Sequence, residues 1–417
     1  MRKVKLLFAA IFMYSAAFAQ EAKEKEKASS QDQAIIDALT KLQKLKVSGY
    51  IQSQYQWGES DARLKVGAAN ENSDNAFNRI GVRRGRIKFV YEEGITSGVF
   101  QIDLSEKGVS FKDVFLKIKD PWTGTSSLKA GIFDRPFGNE IGYSSSRRES
   151  PERSTIFQTL FPDERDLGAA LTLQAAKTSP LNFIKLEAGL FSGNGINKDT
   201  DSQKDFIGHL SASNKIGNKI KWGLGASYYN GHVYQGSENI YTMNGNTFKL
   251  NSEVSNKGEF AKREYFGVDA QFSLESKVGM TKIRAEYLFG TQPGTASSSK
   301  SPNASLLPVT DTYIRNFSGG YAILIQDLGI SNLSAVVKYD WYNPNTKVSA
   351  DEIGLNNTNK GDITYNTLGF GMLWAANKSI RLQAYYEFVE NETSKNLAGF
   401  DTDKKDDTFT LRLQYKF

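Results

Sequence analysis

The last ten residues alternate. Phe409, Leu411, Leu413, Tyr415 and Phe417 take every second place, with Thr408, Thr410, Arg412, Gln414 and Lys416 between them. A period of two puts the apolar side chains on one face of a β-strand and the polar ones on the other. The stripe recurs upstream, in Ile380, Leu382, Ala384, Tyr386 and Phe388, in Leu368, Phe370, Met372 and Trp374, and in Leu333, Ala335, Val337, Tyr339 and Trp341. Many stripes end in Tyr, Trp or Phe, as expected where a strand leaves hydrocarbon for the headgroup layer. From Val47 onward about sixteen such segments follow one another, an even number of the kind outer-membrane barrels favour. A soluble sandwich rarely pairs so many strands of ten or more residues. A soluble all-β chain of 417 residues would also be expected to divide into domains, and no linker interrupts residues 47–417.

Composition fits a barrel. Hydrophobic residues make up 39% and the mean hydropathy is −0.45, so no mature segment is apolar enough for a membrane helix. A barrel tolerates this because half of each strand faces a polar lumen. The connections alternate in length. Segments 58–78, 135–165, 193–203, 231–259, 291–310, 343–361 and 392–404 are long and polar, whereas Glu93-Gly94, Ser179-Pro180, Gly217-Asn218, Ser276-Lys277 and Asn377-Lys378 mark tight turns. Long extracellular loops and short periplasmic turns follow; the short link near Lys107-Gly108 is the exception. The expected fold is all-β: a transmembrane antiparallel β-barrel of about sixteen strands.

The chain opens with a basic Arg2, Lys3 and Lys5, an apolar run from Leu6 to Phe12, and Ala17-Phe18-Ala19. These are the parts of a cleaved export signal over residues 1–19, and removing it takes three of the charges in the formal +6. With no cysteine, the chain has neither disulfides nor a lipid anchor at the cleavage point. Residues 20–46 read as a periplasmic linker and a short amphipathic helix, with Ile35, Leu39 and Leu42 at helical spacing. That helix either packs on its own domain or forms a short coiled coil between subunits.

The longest connection, about 135–165, carries Phe137, Ile141, Ile156, Phe157, Leu160 and Phe161, enough apolar surface to pack against something. It also carries Arg135, Arg147, Arg148, Arg153 and Arg165 among Glu140, Glu149, Glu152, Asp163 and Glu164. An ordered loop of this kind narrows a wide lumen. On the strands leading to it, Ile87, Phe89 and Tyr91 toward lipid place Arg84, Arg86 and Lys88 inward. The same parity turns Lys117, Lys119 and Lys129 inward. A constriction lined by Arg84, Arg86, Lys88, Lys117, Lys119, Lys129, Arg135, Arg147, Arg148 and Arg153 favours anions. Nearby carboxylates are the counterweight, and pairing with them leaves a weakly selective pore.

No catalytic constellation appears. His209 and His232 are the two histidines, neither in a recognisable triad, and no metal-spaced cluster is present, so neither enzyme activity nor a cofactor is expected. Partners expected are outer-membrane lipid and lipopolysaccharide, small anionic solutes and no nucleic acid. A plugged barrel acting as a surface adhesin is a third reading.

The segments RRGRIKF, KDVFLKIKDP, LKAGIFDRPFG, SSSRRESPERS and LFPDERDLG resemble the phosphate- and polyphosphate-selective outer-membrane porins. The similarity is strongest over about residues 79–170. It implies a homotrimer of sixteen-stranded barrels, a basic pore constricted by an inward-folded loop, a short periplasmic N-terminal segment, and a pore-lining role for Arg84, Arg86, Arg135, Arg147, Arg148 and Arg153.

Overall fold

The computed structural model describes residues 32, 33 and 35–417; the expected export signal and most of the expected linker lie outside the described residues. A helix, α1, covers residues 35–44 and runs directly into the first strand. The strands are β1 (Leu45–Gly58), β2 (Phe77–Glu93), β3 (Thr96–Ser105), β4 (Gly108–Lys119), β5 (Ser127–Asp134), β6 (Arg165–Gln174), β7 (Ile184–Phe191), β8 (Asp205–Ile216), β9 (Ile220–Tyr234), β10 (Asn239–Asn244), β11 (Thr247–Ser252), β12 (Phe260–Glu275), β13 (Met280–Gly294), β14 (Thr312–Asp327), β15 (Leu333–Asn343), β16 (Tyr365–Ala375), β17 (Ile380–Asn391) and β18 (Thr408–Lys416). A short helix, α2 (Thr155–Leu160), lies between β5 and β6.

All strands but β10 and β11 form one closed antiparallel barrel of sixteen. Closure joins β1 to β18, with Tyr50 opposite Lys416 and Gly58 opposite Thr408. Neighbouring strands meet in sequence order, as short antiparallel links require. The outward face is the apolar stripe: Leu411, Leu413, Tyr415 and Phe417 are all exposed on the outside of the barrel. Both ends of the barrel chain, Leu45 and Phe417, lie at the rim that carries the tight turns.

Two β-bulges break the alternation. On β1–β2 the register steps from Gln52–Arg84 to Ser53–Val82, which leaves Arg83 as an extra residue on β2. Val82 and Ile80 stay on the outer face, so Arg83 and Arg84 both point inward. On β3–β4 the register steps from Phe100–Val114 to Ile102–Phe111, and Lys112 and Asp113 share the extra place. Strict alternation from Ile87 would have put Arg83 in lipid.

The segment 231–259 is not the single polar loop that its composition suggests. It contains the hairpin β10–β11, which turns at Gly245 with φ +62°. The two-residue loop Gly245-Asn246 has glycine at its first central position, where a type II′ hairpin turn requires it, but strands of six residues carry too short an alternation to stand out. The hairpin continues the wall outward: β10 pairs parallel with β14 from Ile240–Thr312 to Thr242–Ile314, and Tyr241 stacks on Tyr313 at 4.2 Å. Beside it Val348, Ile353 and Ile363 form a second small core with Met243, Leu397 and Phe400. The loop end of the barrel is therefore partly roofed.

Candidate functional site

Residues 135–164 leave β5 at the loop end, fold into the lumen and return to β6. Two kinds of contact hold them there. The first is apolar. Phe137, Ile141, Ile156, Phe157, Leu160 and Phe161 are buried against Tyr229, Tyr265, Phe317 and Tyr321 on the inner wall. Phe161 meets Tyr265 edge-on at 5.6 Å and Phe137 at 5.0 Å. Inward-facing Gly267 and Gly319 make room, since a Cβ there would sit 2.8 Å from Phe137 and 2.9 Å from Ile156. At roughly 1.5–3 kcal/mol per buried side chain, the apolar contacts contribute on the order of 10 kcal/mol toward ordering the loop. Backbone donors add to this: Gly138 donates to Ser227 Oγ at 2.9 Å, Asn139 to Glu286 Oε2 at 2.9 Å and Thr155 to Asp340 Oδ1 at 3.0 Å.

The second anchor is ionic, on the opposite wall. Arg83 donates through Nε and a terminal nitrogen to the two oxygens of Glu152, both at 2.9 Å. Arg84 reaches the same carboxylate at 2.6 Å and Arg412 at 3.1 Å. Arg412 also donates to the Pro151 carbonyl at 2.8 Å, and Tyr50 and Ser145 share a hydroxyl hydrogen bond. Burial opposes ionisation of Glu152, but the three guanidinium groups outweigh it and hold the carboxyl well below its usual range.

The loop thus fills one side of the lumen and leaves a crescent of free space that runs from β18 and β1 round to β9 and β12. One cavity, about 340 Å³, is lined by Arg86, Lys88, Arg147, Arg153, Arg165 and Lys416, with Asp113 and Asp134 as its carboxylates. A second, about 510 Å³, has Lys185, Glu187, His209 and Asp269 on its wall. A third, about 180 Å³, carries Lys129, Arg135, Asp134 and Glu187. Gly142, at the exposed tip of the loop, borders all three.

The ten residues expected to line a constriction are therefore divided. Arg86, Lys88, Arg147 and Arg153 share the first cavity, and Lys129 and Arg135 the third. Arg84 is buried behind the loop and Arg148 within it. Lys117 and Lys119 lie toward the turn end and border none of these cavities. Most of the charges are engaged. Arg86 pairs with Asp103 at 3.1 Å, Lys88 with Asp113 at 3.3 Å, Arg135 with Asp166 at 3.1 Å, and Arg153 with Glu164. Arg147 is exposed and, like Lys416, makes no ion pair among the described residues. Alternation along the chain does not reveal Arg83, hidden by the bulge, or Glu152, whose partners come from strands far away in sequence. Arg412 and Lys416 are legible on the inner face of the last strand. His209 pairs with Asp269 at 2.9 Å, as an ordinary polar residue of the inner wall does.

At the loop end, Asp406 is half-buried among other carboxylates. Partial burial, followed by Asp403, Asp407, Asp61 and Glu59, raises its carboxyl to about 7. A carboxyl raised on folding stabilises the folded rim when protonated, so that stability is fully present below the unfolded value of about 3.9 and is lost as pH rises from there through about 7. Hydrogen exchange over residues 401–407, corrected for intrinsic rates, is expected to be slower at pH 6 than at pH 8, with the difference gone in Asp406→Asn. Equal protection in the wild type at both pH values would refute this.

No family model and no curated protein matches the chain. Solved structures do match its fold. OmpF of Salmonella typhi, in a complex with daunomycin, superposes with a TM-score of 0.54 at 12% identity over 89% of this chain and 97% of that one. OprB of Pseudomonas putida gives 0.53 at 9% over 92% and 96%. An anion-selective porin from Comamonas acidovorans gives 0.52 at 9% over 89% and 99%. The chain has the sixteen-stranded barrel fold of these outer-membrane proteins.

Proposed function

We propose that the chain is an outer-membrane porin, a water-filled channel through which small anions diffuse passively, with phosphate or polyphosphate as the solute class. The observation that carries this reading is the cavity beside the loop, where six basic side chains face two carboxylates. Low-dielectric walls focus such an excess. Lys117 and Lys129 support it: they stand directly opposite each other on β4 and β5, and neither is ion-paired among the described residues. Like charges in that register cost stability, so the pair favours an anion between them.

The ion pairs of Arg86, Lys88 and Arg153 favour a second reading, a general, weakly selective porin. In both readings residues 1–19 are an export signal, residues 20–46 lie in the periplasm and residues 47–417 cross the outer membrane. The exposed Ile35, Leu39 and Leu42 of α1 support association of copies, as a homotrimer.

The test is the reversal potential in a planar bilayer under a KCl gradient, repeated with phosphate. Anion selectivity and block by phosphate are expected, and Arg147→Glu with Lys416→Glu is expected to move the reversal potential toward that of cations. Both residues are unpaired among the described residues, so reversing them leaves the loop anchors intact. A reversal potential indifferent to the double substitution and to phosphate supports the weakly selective channel. Absence of any current would overturn both readings in favour of a plugged barrel.

A further inference from the structure

We propose that Arg148 holds a single monatomic anion of chloride size inside the folded loop, as a fixed structural ion distinct from those that pass through the pore. Arg148 is 3% exposed, and none of its three guanidinium nitrogens has a hydrogen-bond partner among the described residues. A guanidinium does not give up its proton in a protein, so it cannot escape burial by becoming neutral. Burial, then Arg153 and Arg84, press on that proton, while Glu152 and Glu140 favour it.

Neither carboxylate is free to serve as counter-ion. Glu152 is taken by three other arginines. Glu140 is bonded to Lys338 at 3.3 Å and to the Ser154 backbone N–H at 3.2 and 3.1 Å. Nor can the backbone swing the side chain out to water. Arg381 donates to the Arg147 carbonyl at 3.2 Å and to the Arg148 carbonyl at 3.0 Å, and Gln383 donates to the next carbonyl, Glu149.

Arg148 lines a cavity of about 10 Å³. That is about one water-sized sphere, so a halide, somewhat larger than water, enters with small shifts of the lining side chains, whereas phosphate does not fit. The other donors on its wall are committed: Tyr143 to Glu149 at 3.1 Å, Tyr321 to Glu286 at 2.7 Å, and Ser150 to the Glu152 carbonyl at 2.8 Å. Arg284 there is neutralised by Glu149. Glu140 on the same wall is neutralised by Lys338, so the charge left over is that of Arg148, which matches one monovalent anion. The inference rests on the interior of the loop and stands whether or not the pore selects anions.

Bromide is the probe. Crystals of the full mature chain grown in NaBr are expected to show an anomalous peak at the bromine edge within hydrogen-bonding reach of the Arg148 guanidinium, and Arg148→Met to lack it. Thermal unfolding of the wild type is expected to occur at higher temperature in NaBr than in sodium gluconate of equal ionic strength; this measurement stands even if the variant does not fold. A site without anomalous signal, a peak that persists in Arg148→Met, or unfolding indifferent to the anion overturns the proposal. Reversal potentials are read separately, so loss of selectivity with the peak retained would count against the anion-selective pore alone.

Discussion

Deletion of residues 139–160 is expected to raise single-channel conductance several-fold. The segment contributes α2, the contacts of Ile141, Ile156, Phe157 and Leu160 with the wall and the Glu152 anchor, all inside the barrel. A channel's conductance follows its narrowest cross-section, and the loop tip around Gly142 borders all three lumen cavities. The wall itself is a continuous hydrogen-bonded ladder from β1 to β18 that makes no use of the loop. The deletion variant should therefore keep its heat-modifiable folded band in a gel. Conductance unchanged in a folded variant would mean that the rate-limiting constriction lies elsewhere, for instance at the roof formed by β10 and β11.

Replacing Glu152 with Gln is expected to release half of the loop while leaving the other half docked. The substitution removes the one carboxylate shared by Arg83, Arg84 and Arg412, all on the barrel wall. Breaking a buried pair by removing one partner costs about 3–5 kcal/mol, because the remaining charges stay buried and unpaired. The apolar anchor of α2 is untouched. Opening should therefore be confined to the stretch around Ser144 to Ser154, and trypsin should cleave at Arg147 and Arg148 about 10²–10⁴-fold faster than in the wild type, by the tenfold-per-1.4 kcal/mol conversion. The wild-type anchor should also withstand mild acid. Its carboxyl is depressed on folding, so its contribution is present above the unfolded value of about 4.3 and is lost only as pH falls through the lower, folded value. Cleavage at the wild-type rate in the variant would show that the arginines find other partners.

Part of this architecture is legible along the chain itself. The inner face of β18 reads directly: Arg412, Gln414 and Lys416 alternate with Leu411, Leu413 and Tyr415, and each lies on the side that alternation assigns. The loop can be placed because a run of apolar side chains in a long connection must pack somewhere. Arg83 cannot be read, since a bulge shifts parity by one residue and leaves no mark in composition. The hairpin β10–β11 escapes notice because its strands are six residues long and its partner on the wall, β14, begins some sixty residues later in sequence order.

The sequence by itself determined the barrel, because a period of two over ten or more residues admits one buried side and one apolar outer side per strand, and sixteen such strands with short links close on themselves. It also determined where the interruption falls, between β5 and β6. What only the tertiary structure decided is which charges remain available. Arg84, Arg86 and Arg148 look alike along the chain, yet one is bound to Glu152, one to Asp103 and one has no partner among the described residues. The reason is range: alternation is a local property, while Arg412 and Glu152 meet across 260 residues, and only the closed wall brings them within 3.1 Å.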